Sequence, residues 1–157
     1  MTKGSEYLPD ILRSIGIIDR ALDTIANIEF KEVNLTRGQY LYLVRVYEHP
    51  GIILERLANL IKVDKTTAAR AIQKMEKNGL LERKMNPADK KQKQIYVTEK
   101  GRQVYPLIHR ENLYSNEVAL TGISPDDQVK LHDLLDQVAK NIEDDYNTVK
   151  RGEKRQY

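Results

Sequence analysis

The residues best suited to chemistry with a partner lie between Asp64 and Gly79. Lys65, Thr66, Thr67, Arg70 and Lys74 recur at helical spacing, and Ala68, Ala71, Ile72 and Met75 fall on the opposite side. Asp64 can accept N–H bonds at the start of such a helix, and Asn78-Gly79 supplies its stop. The outward set suits a duplex groove. Arginine bonds bidentately to guanine or holds a phosphate, and threonine contacts phosphate oxygens or a thymine methyl. The positive end of the helix dipole favours phosphate beside Lys65, Thr66 and Thr67. Arg70 lies three residues beyond Thr67 and four beyond Thr66, so it shares their face, with reach for a base edge or the backbone.

A second basic group follows. The runs Leu80–Met85 and Ile95–Thr98 have strand character, and the polar stretch Asn86–Lys93 between them reads as a hairpin tip. Lys90, Lys91 and Lys93 in that tip are candidates for the minor groove or the backbone. Such runs are often merely solvated, but a hairpin directly after a basic helix favours contact. An acid facing phosphate is repelled, so Asp89 is read as orienting the wing.

Charge placement agrees. The segment Lys62 to Arg102 holds 12 Lys/Arg and 5 Asp/Glu, a net +7, while the remainder holds 14 basic and 18 acidic residues, a net −4. A basic centre between acidic ends suits a polyanion-binding module flanked by segments with another task.

Other chemistries find little support. The absence of cysteine excludes disulfides, thiol nucleophiles and thiol-based redox sensing. His49, His109 and His132 are not paired at ligand spacing, so no metal site is predicted. No glycine loop for phosphate and no Ser/His/Asp grouping stands out. No catalytic residue, cofactor or enzymatic activity is expected.

The elements that must position the basic groups are mostly helical. Apolar residues recur from Leu8 through Ile11, Ile15, Ile18, Leu22 and Ile25, giving a long helix with a heptad-like seam. Thr36 is a candidate cap for a second helix with Tyr40, Leu43, Val44 and Tyr47 on one face, ended by His49-Pro50-Gly51. A short third helix carries Leu54, Leu57, Ala58 and Ile61. Lys62-Val63 joins it to the basic helix as a helix-turn-helix, with small Ala58 at the close approach.

Thr98 caps a helix containing Val104, Leu107 and Ile108, which Pro106 can bend. Ser124-Pro125-Asp126-Asp127 opens a last helix with Leu131, Leu135, Val138 and Ile142 in a seam. The expected fold is mainly α with a small β-hairpin wing. Its expected parts are a dimerisation helix over 1–34, a winged helix-turn-helix lobe over 35–101, dimerisation helices over 102–150 and a frayed tail over 151–157. The opening MTKGSEYLPD lacks the apolar run of a signal peptide, and no stretch approaches a membrane span. A soluble, cytoplasmic protein without membrane contact is expected.

From about Leu35 to Gly101 the sequence resembles the MarR family of regulators. The matching pieces are Leu35-Thr36, Glu48-His49-Pro50-Gly51, Leu57-Ala58, Val63-Asp64-Lys65-Thr66-Thr67, Arg70, Met75 to Arg83, Pro87-Ala88-Asp89-Lys90-Lys91 and Thr98-Glu99-Lys100-Gly101. Single pieces are weak, but their number and order are specific. The flanking helices match in pattern only.

The resemblance implies a homodimer built from the first and last helices, with two winged lobes on a pseudo-palindromic operator. It also implies a small aromatic or lipophilic effector. Two departures stand out: Lys62 where the family's turn usually has glycine, and Lys91 where its wing motif usually ends in arginine. Tyr40 and Tyr47 are candidates for an effector pocket, although aromatic residues at helical spacing more often serve the core. The function expected is a DNA-binding transcriptional regulator, more readily a repressor than an activator. The competing reading is a protein-interaction module that uses the lobe without DNA.

Overall fold

The computed structural model describes residues 8–157, so the expectations for residues 1–7, including that of no leader-like run there, lie outside it. In chain order the elements are α1 (Ile11–Glu29), α2 (Gln39–Glu48), β1 (Ile52–Ile53), α3 (Leu54–Ile61), α4 (Lys65–Lys77), β2 (Leu81–Met85), β3 (Lys93–Val97), α5 (Glu99–Ala119) and α6 (Pro125–Lys150). A single 3-10 turn, Lys31–Val33, follows α1. The chain divides into two compact units, one ending at Leu113 and the other Tyr114–Tyr157, with the boundary inside α5.

The first unit is built on one core. Phe30, Leu35, Leu43, Leu57, Ile72, Met75, Leu80, Leu81, Ile95 and Ile108 are fully buried in it. α1 enters this core only at its end: Ala26 is its one buried residue, and Phe30 follows it. The remaining face of α1 leaves Ile11, Ile15, Ile18, Leu22 and Ile25 exposed.

α2 is rotated from the expected face. Gln39, Tyr42, Leu43 and Val46 are buried, Tyr40 and Val44 only partly, and Tyr47 is 42% exposed. Both sets obey helical spacing, and in a helix reading YLYLVRVY periodicity alone cannot choose between them. Its start also differs. Gly38, with left-handed backbone (φ 70), occupies the cap position, and Thr36 caps through no side-chain bond. Glycine takes that conformation without strain.

The wing belongs to a three-stranded antiparallel sheet of order β1-β3-β2. Ile52 pairs with Ile95 on one side of β3, and Arg83 pairs with Ile95 on the other. β1 was not expected from the sequence. Lys93 opens β3 opposite Met85, so the tip spans 86–92 rather than reaching Lys93.

The second unit centres on α6. Ser124 caps it by accepting from the Asp127 N–H at 3.2 Å, with Pro125 at the first helical position. Within this unit Leu131, Leu134, Leu135 and Ile142 are exposed, and no residue of α6 is buried. Among the described residues, no helix is long and apolar enough to cross a membrane.

Candidate nucleic-acid interface

Local bonds place α4. The Asp64 carboxylate accepts the Thr67 N–H at 2.8 Å and also the Thr67 hydroxyl. These two bonds from Thr67 hold the Asp64 carboxyl below its ordinary value. At the other end Gly79 (φ 74) turns the chain, and the Leu80 N–H returns to the Met75 carbonyl at 2.9 Å. Ala68, Ile72 and Met75 point into the core and Ala71 is half-buried. Lys65, Thr66, Thr67, Arg70 and Lys74 are all exposed, so the two faces divide as expected.

The turn before α4 closes on Lys62, which adopts left-handed backbone (φ 62, ψ 42). The Val63 N–H then reaches the Ala58 carbonyl at 3.1 Å. Glycine would take this conformation freely, whereas a residue with a β-carbon is strained there by about 1–2 kcal/mol. The departure at Lys62 therefore falls on a position that selects glycine for a physical reason.

The wing is anchored at both ends. At its tip the Asp89 carboxylate accepts the Lys91 backbone N–H at 3.0 Å, and the Asp89 carbonyl accepts the Gln92 N–H. Asn86 makes a similar turn, its side-chain oxygen accepting the Ala88 N–H at 3.0 Å. Asp89 thus engages Lys91 through the backbone, a bond that survives the change from arginine. At its base, Thr98 donates its hydroxyl to the Gly79 carbonyl at 2.6 Å and caps α5 by accepting the Gly101 N–H at 3.1 Å.

Two concave surfaces flank α4. One, of about 320 Å³, is lined by Lys65 from the helix, by Lys91, Gln92 and Lys93 from the wing, and by Arg83, with Ile53, Leu54, Ile72 and Ile95 on its floor. Its acidic lining residue is Glu55. The other, of about 230 Å³, is lined by Thr67, Arg70 and Lys74 of α4 together with Arg37, Gln39, Tyr42 and Ala71. The structure therefore brings Lys65 together with Lys91 and Lys93, and Thr67 with Arg70 and Lys74. Thr66 and Lys90 are exposed and line neither surface. Arg37, which also lines the second surface, lies outside the helix-turn-helix and carries no periodic signal in the sequence.

Tyr40 and Tyr47 line neither surface beside α4. Tyr40 is half-buried with its ring 5.4 Å from that of Phe30, and burial, reinforced by Asp23, Glu111 and Asp19, pushes its phenol pKa up. Tyr47 stacks on Tyr105 of α5, centroids 3.8 Å apart, and Tyr105 in turn stands over His109. Among the described residues no group of three or more His, Asp or Glu is arranged to hold a metal ion.

A helix-turn-helix with an exposed basic second helix and a hairpin beside it defines the winged helix-turn-helix class. The MarR family model matches residues 35–93. YybA of Bacillus subtilis (strain 168), an HTH-type transcriptional regulator, is 57% identical over 148 residues, covering 94% of this chain and 99% of that protein. A SlyA-like transcription regulator from Listeria monocytogenes superposes with a TM-score of 0.92 at 55% identity, covering 96% of this chain and all of that one. The same values hold for a MarR family regulator from Listeria monocytogenes complexed with 26mer DNA. The chain belongs to the MarR family of transcriptional regulators.

Proposed function

We propose that this chain is a homodimeric, sequence-specific double-stranded-DNA-binding repressor acting in the cytoplasm, with operator affinity set by a small aromatic or lipophilic ligand. It acts by binding and not by catalysis. The observation that carries the reading is the exposed row Lys65, Thr66, Thr67, Arg70 and Lys74 on a helix capped at both ends, beside a wing bearing Lys90, Lys91 and Lys93. The comparisons support DNA as the partner, since a relative of the same family is complexed with it. They offer nothing for a protein-docking role of the lobe.

The exposed seams of α1 and α6 support assembly. A contiguous apolar stripe on a helix is costly to leave in water and suits a second copy of the chain. In such a dimer the two copies of α4 enter successive major grooves about 34 Å apart. A ligand that favours another spacing lowers operator affinity by its difference in binding to the two states.

The test is selection of bound duplexes from a random pool, followed by retardation of the selected and a scrambled duplex across a salt series. A pseudo-palindromic consensus held by a dimer is the expected result. A folded protein that retains no duplex at low salt overturns the reading.

A further inference from the structure

Arg37 sits in the short link between α1 and α2 with left-handed backbone (φ 58), a conformation unusual for a residue with a β-carbon. Such strain persists only where the surroundings over-determine it. Here they do. The Asn27 side-chain oxygen, on the last full turn of α1, accepts the Arg37 N–H at 2.6 Å, and Asn27 itself is steadied by donating to Asp23 at 3.2 Å. Leu35 is fully buried, and the buried Gln39 amide, oriented to satisfy its neighbours, donates to the carbonyls of Asn34 and Thr36 at 3.2 Å each.

What this arrangement achieves is placement. Arg37 lines the same concave surface as Thr67, Arg70 and Lys74, and no acid lines that surface among the described residues. Three cations gathered there repel one another, and an anion between them relieves the repulsion. When a helix lies in the major groove, the sugar-phosphate backbone passes along its flank, where contacts fix register without reading sequence.

We propose that Arg37 is a phosphate-contacting residue of the DNA interface, supplied from outside both the helix-turn-helix and the wing, and that Asn27 of α1 is its positioning residue. The proposal rests on the DNA-binding reading above. Because Asn27 stands on α1, the helix that carries one apolar seam, a change in that helix reaches a DNA contact without passing through α4.

The experiment measures affinity for the selected and a scrambled duplex across a salt series, using the full chain and four variants: Arg37→Gly, Arg37→Lys, Asn27→Ala and the double variant Asn27→Ala/Arg37→Gly. Glycine eases the left-handed backbone, so Arg37→Gly removes the guanidinium without a folding penalty. It is expected to weaken both duplexes by the same factor, on the order of five- to tenfold, and to reduce the salt slope by about 0.9 per protomer. Arg37→Lys keeps the charge and the slope. Asn27→Ala weakens binding in the parent but adds nothing in the Arg37→Gly background.

A parent that retains no duplex overturns the DNA-binding reading and this proposal with it. A parent that binds, with Arg37→Gly unchanged in affinity and slope, overturns the assignment of Arg37 alone. A lysine variant with the slope of the glycine variant overturns the charge contact. An Asn27→Ala effect that adds fully to that of Arg37→Gly overturns the positioning role.

Discussion

Arg83 of β2 holds Glu76 of α4 through two hydrogen bonds, Nε to Oε1 at 2.9 Å and Nη2 to Oε2 at 2.6 Å. Both side chains are mostly shielded, at 29% and 25% exposure, and the bonds to Glu76 raise the Arg83 pKa further. The pair ties the last turns of the basic helix to the first strand of the wing, so the two candidate DNA elements are held to one another. A lysine cannot reproduce the planar fork. Arg83→Lys is expected to lower stability by about 0.5–1 kcal/mol, read as a lower urea midpoint with unchanged m-value.

Gly101 marks a second join. A Cβ there would lie 2.3 Å from the Leu80 carbonyl oxygen and 2.6 Å from Val97 Cγ1, and the first of these is backbone that cannot step aside. α5 rests against the link between α4 and β2 only because position 101 has no side chain. Gly101→Ala is expected to destabilise by about 2–3 kcal/mol despite alanine's better helix propensity. Unfolding at the parent's midpoint would show the prediction to be wrong.

Lys62 offers the reverse experiment. Its left-handed backbone closes the helix-turn-helix at a position where glycine carries no strain. Lys62→Gly is expected to raise stability by about 0.5–1 kcal/mol, the relief of strain exceeding the added freedom of the unfolded chain. Thermal unfolding of parent and variant side by side decides the sign.

Asp64 makes the cap of α4 sensitive to acid. Its carboxyl pKa is lowered in the folded protein by the bonds from Thr67. A depressed acid stabilises the fold fully above the ordinary carboxylate value, and that contribution is lost as pH falls from there through the lowered value. Between neutral pH and the acid range, Asp64→Asn should therefore lose less stability than the parent. Urea midpoints at the two ends measure this, and equal pH dependence in both proteins would contradict it.

Arg70 and the wing lysines separate reading from holding. Arg70→Ala is expected to cost about 1–3 kcal/mol per half-site and to relax preference at one base position if the guanidinium reads guanine. If Arg70 holds phosphate, every sequence weakens together. Neutralising Lys90, Lys91 and Lys93 should weaken all duplexes and flatten the salt dependence, because each phosphate contact releases counterions. Binding curves on matched and single-substituted duplexes distinguish these outcomes, and parent-like curves for both variants would remove α4 and the wing from the interface.

Features governed by near neighbours could be read directly from the chain. Asp64 caps α4 from three residues away, Ser124-Pro125 opens α6, Thr98 caps α5, and Gly79 ends α4, each through contacts within a turn or two. The inward and outward faces of α4 were equally legible, because its apolar residues occupy one side only. Tertiary structure decided the rest. β1 is two residues long and exists only because Ile52 and Ile53 meet Ile95 and Gln94, some forty positions away. The buried face of α2 was chosen by what packs on Leu43 and Val46, since its own residues are apolar nearly all round. Gly38 replaced Thr36 as the cap because Leu35 is drawn into the core and Gln39 bonds back to the link before it. The same link brings Arg37 beside Arg70, an approach of residues 33 positions apart that no local pattern encodes.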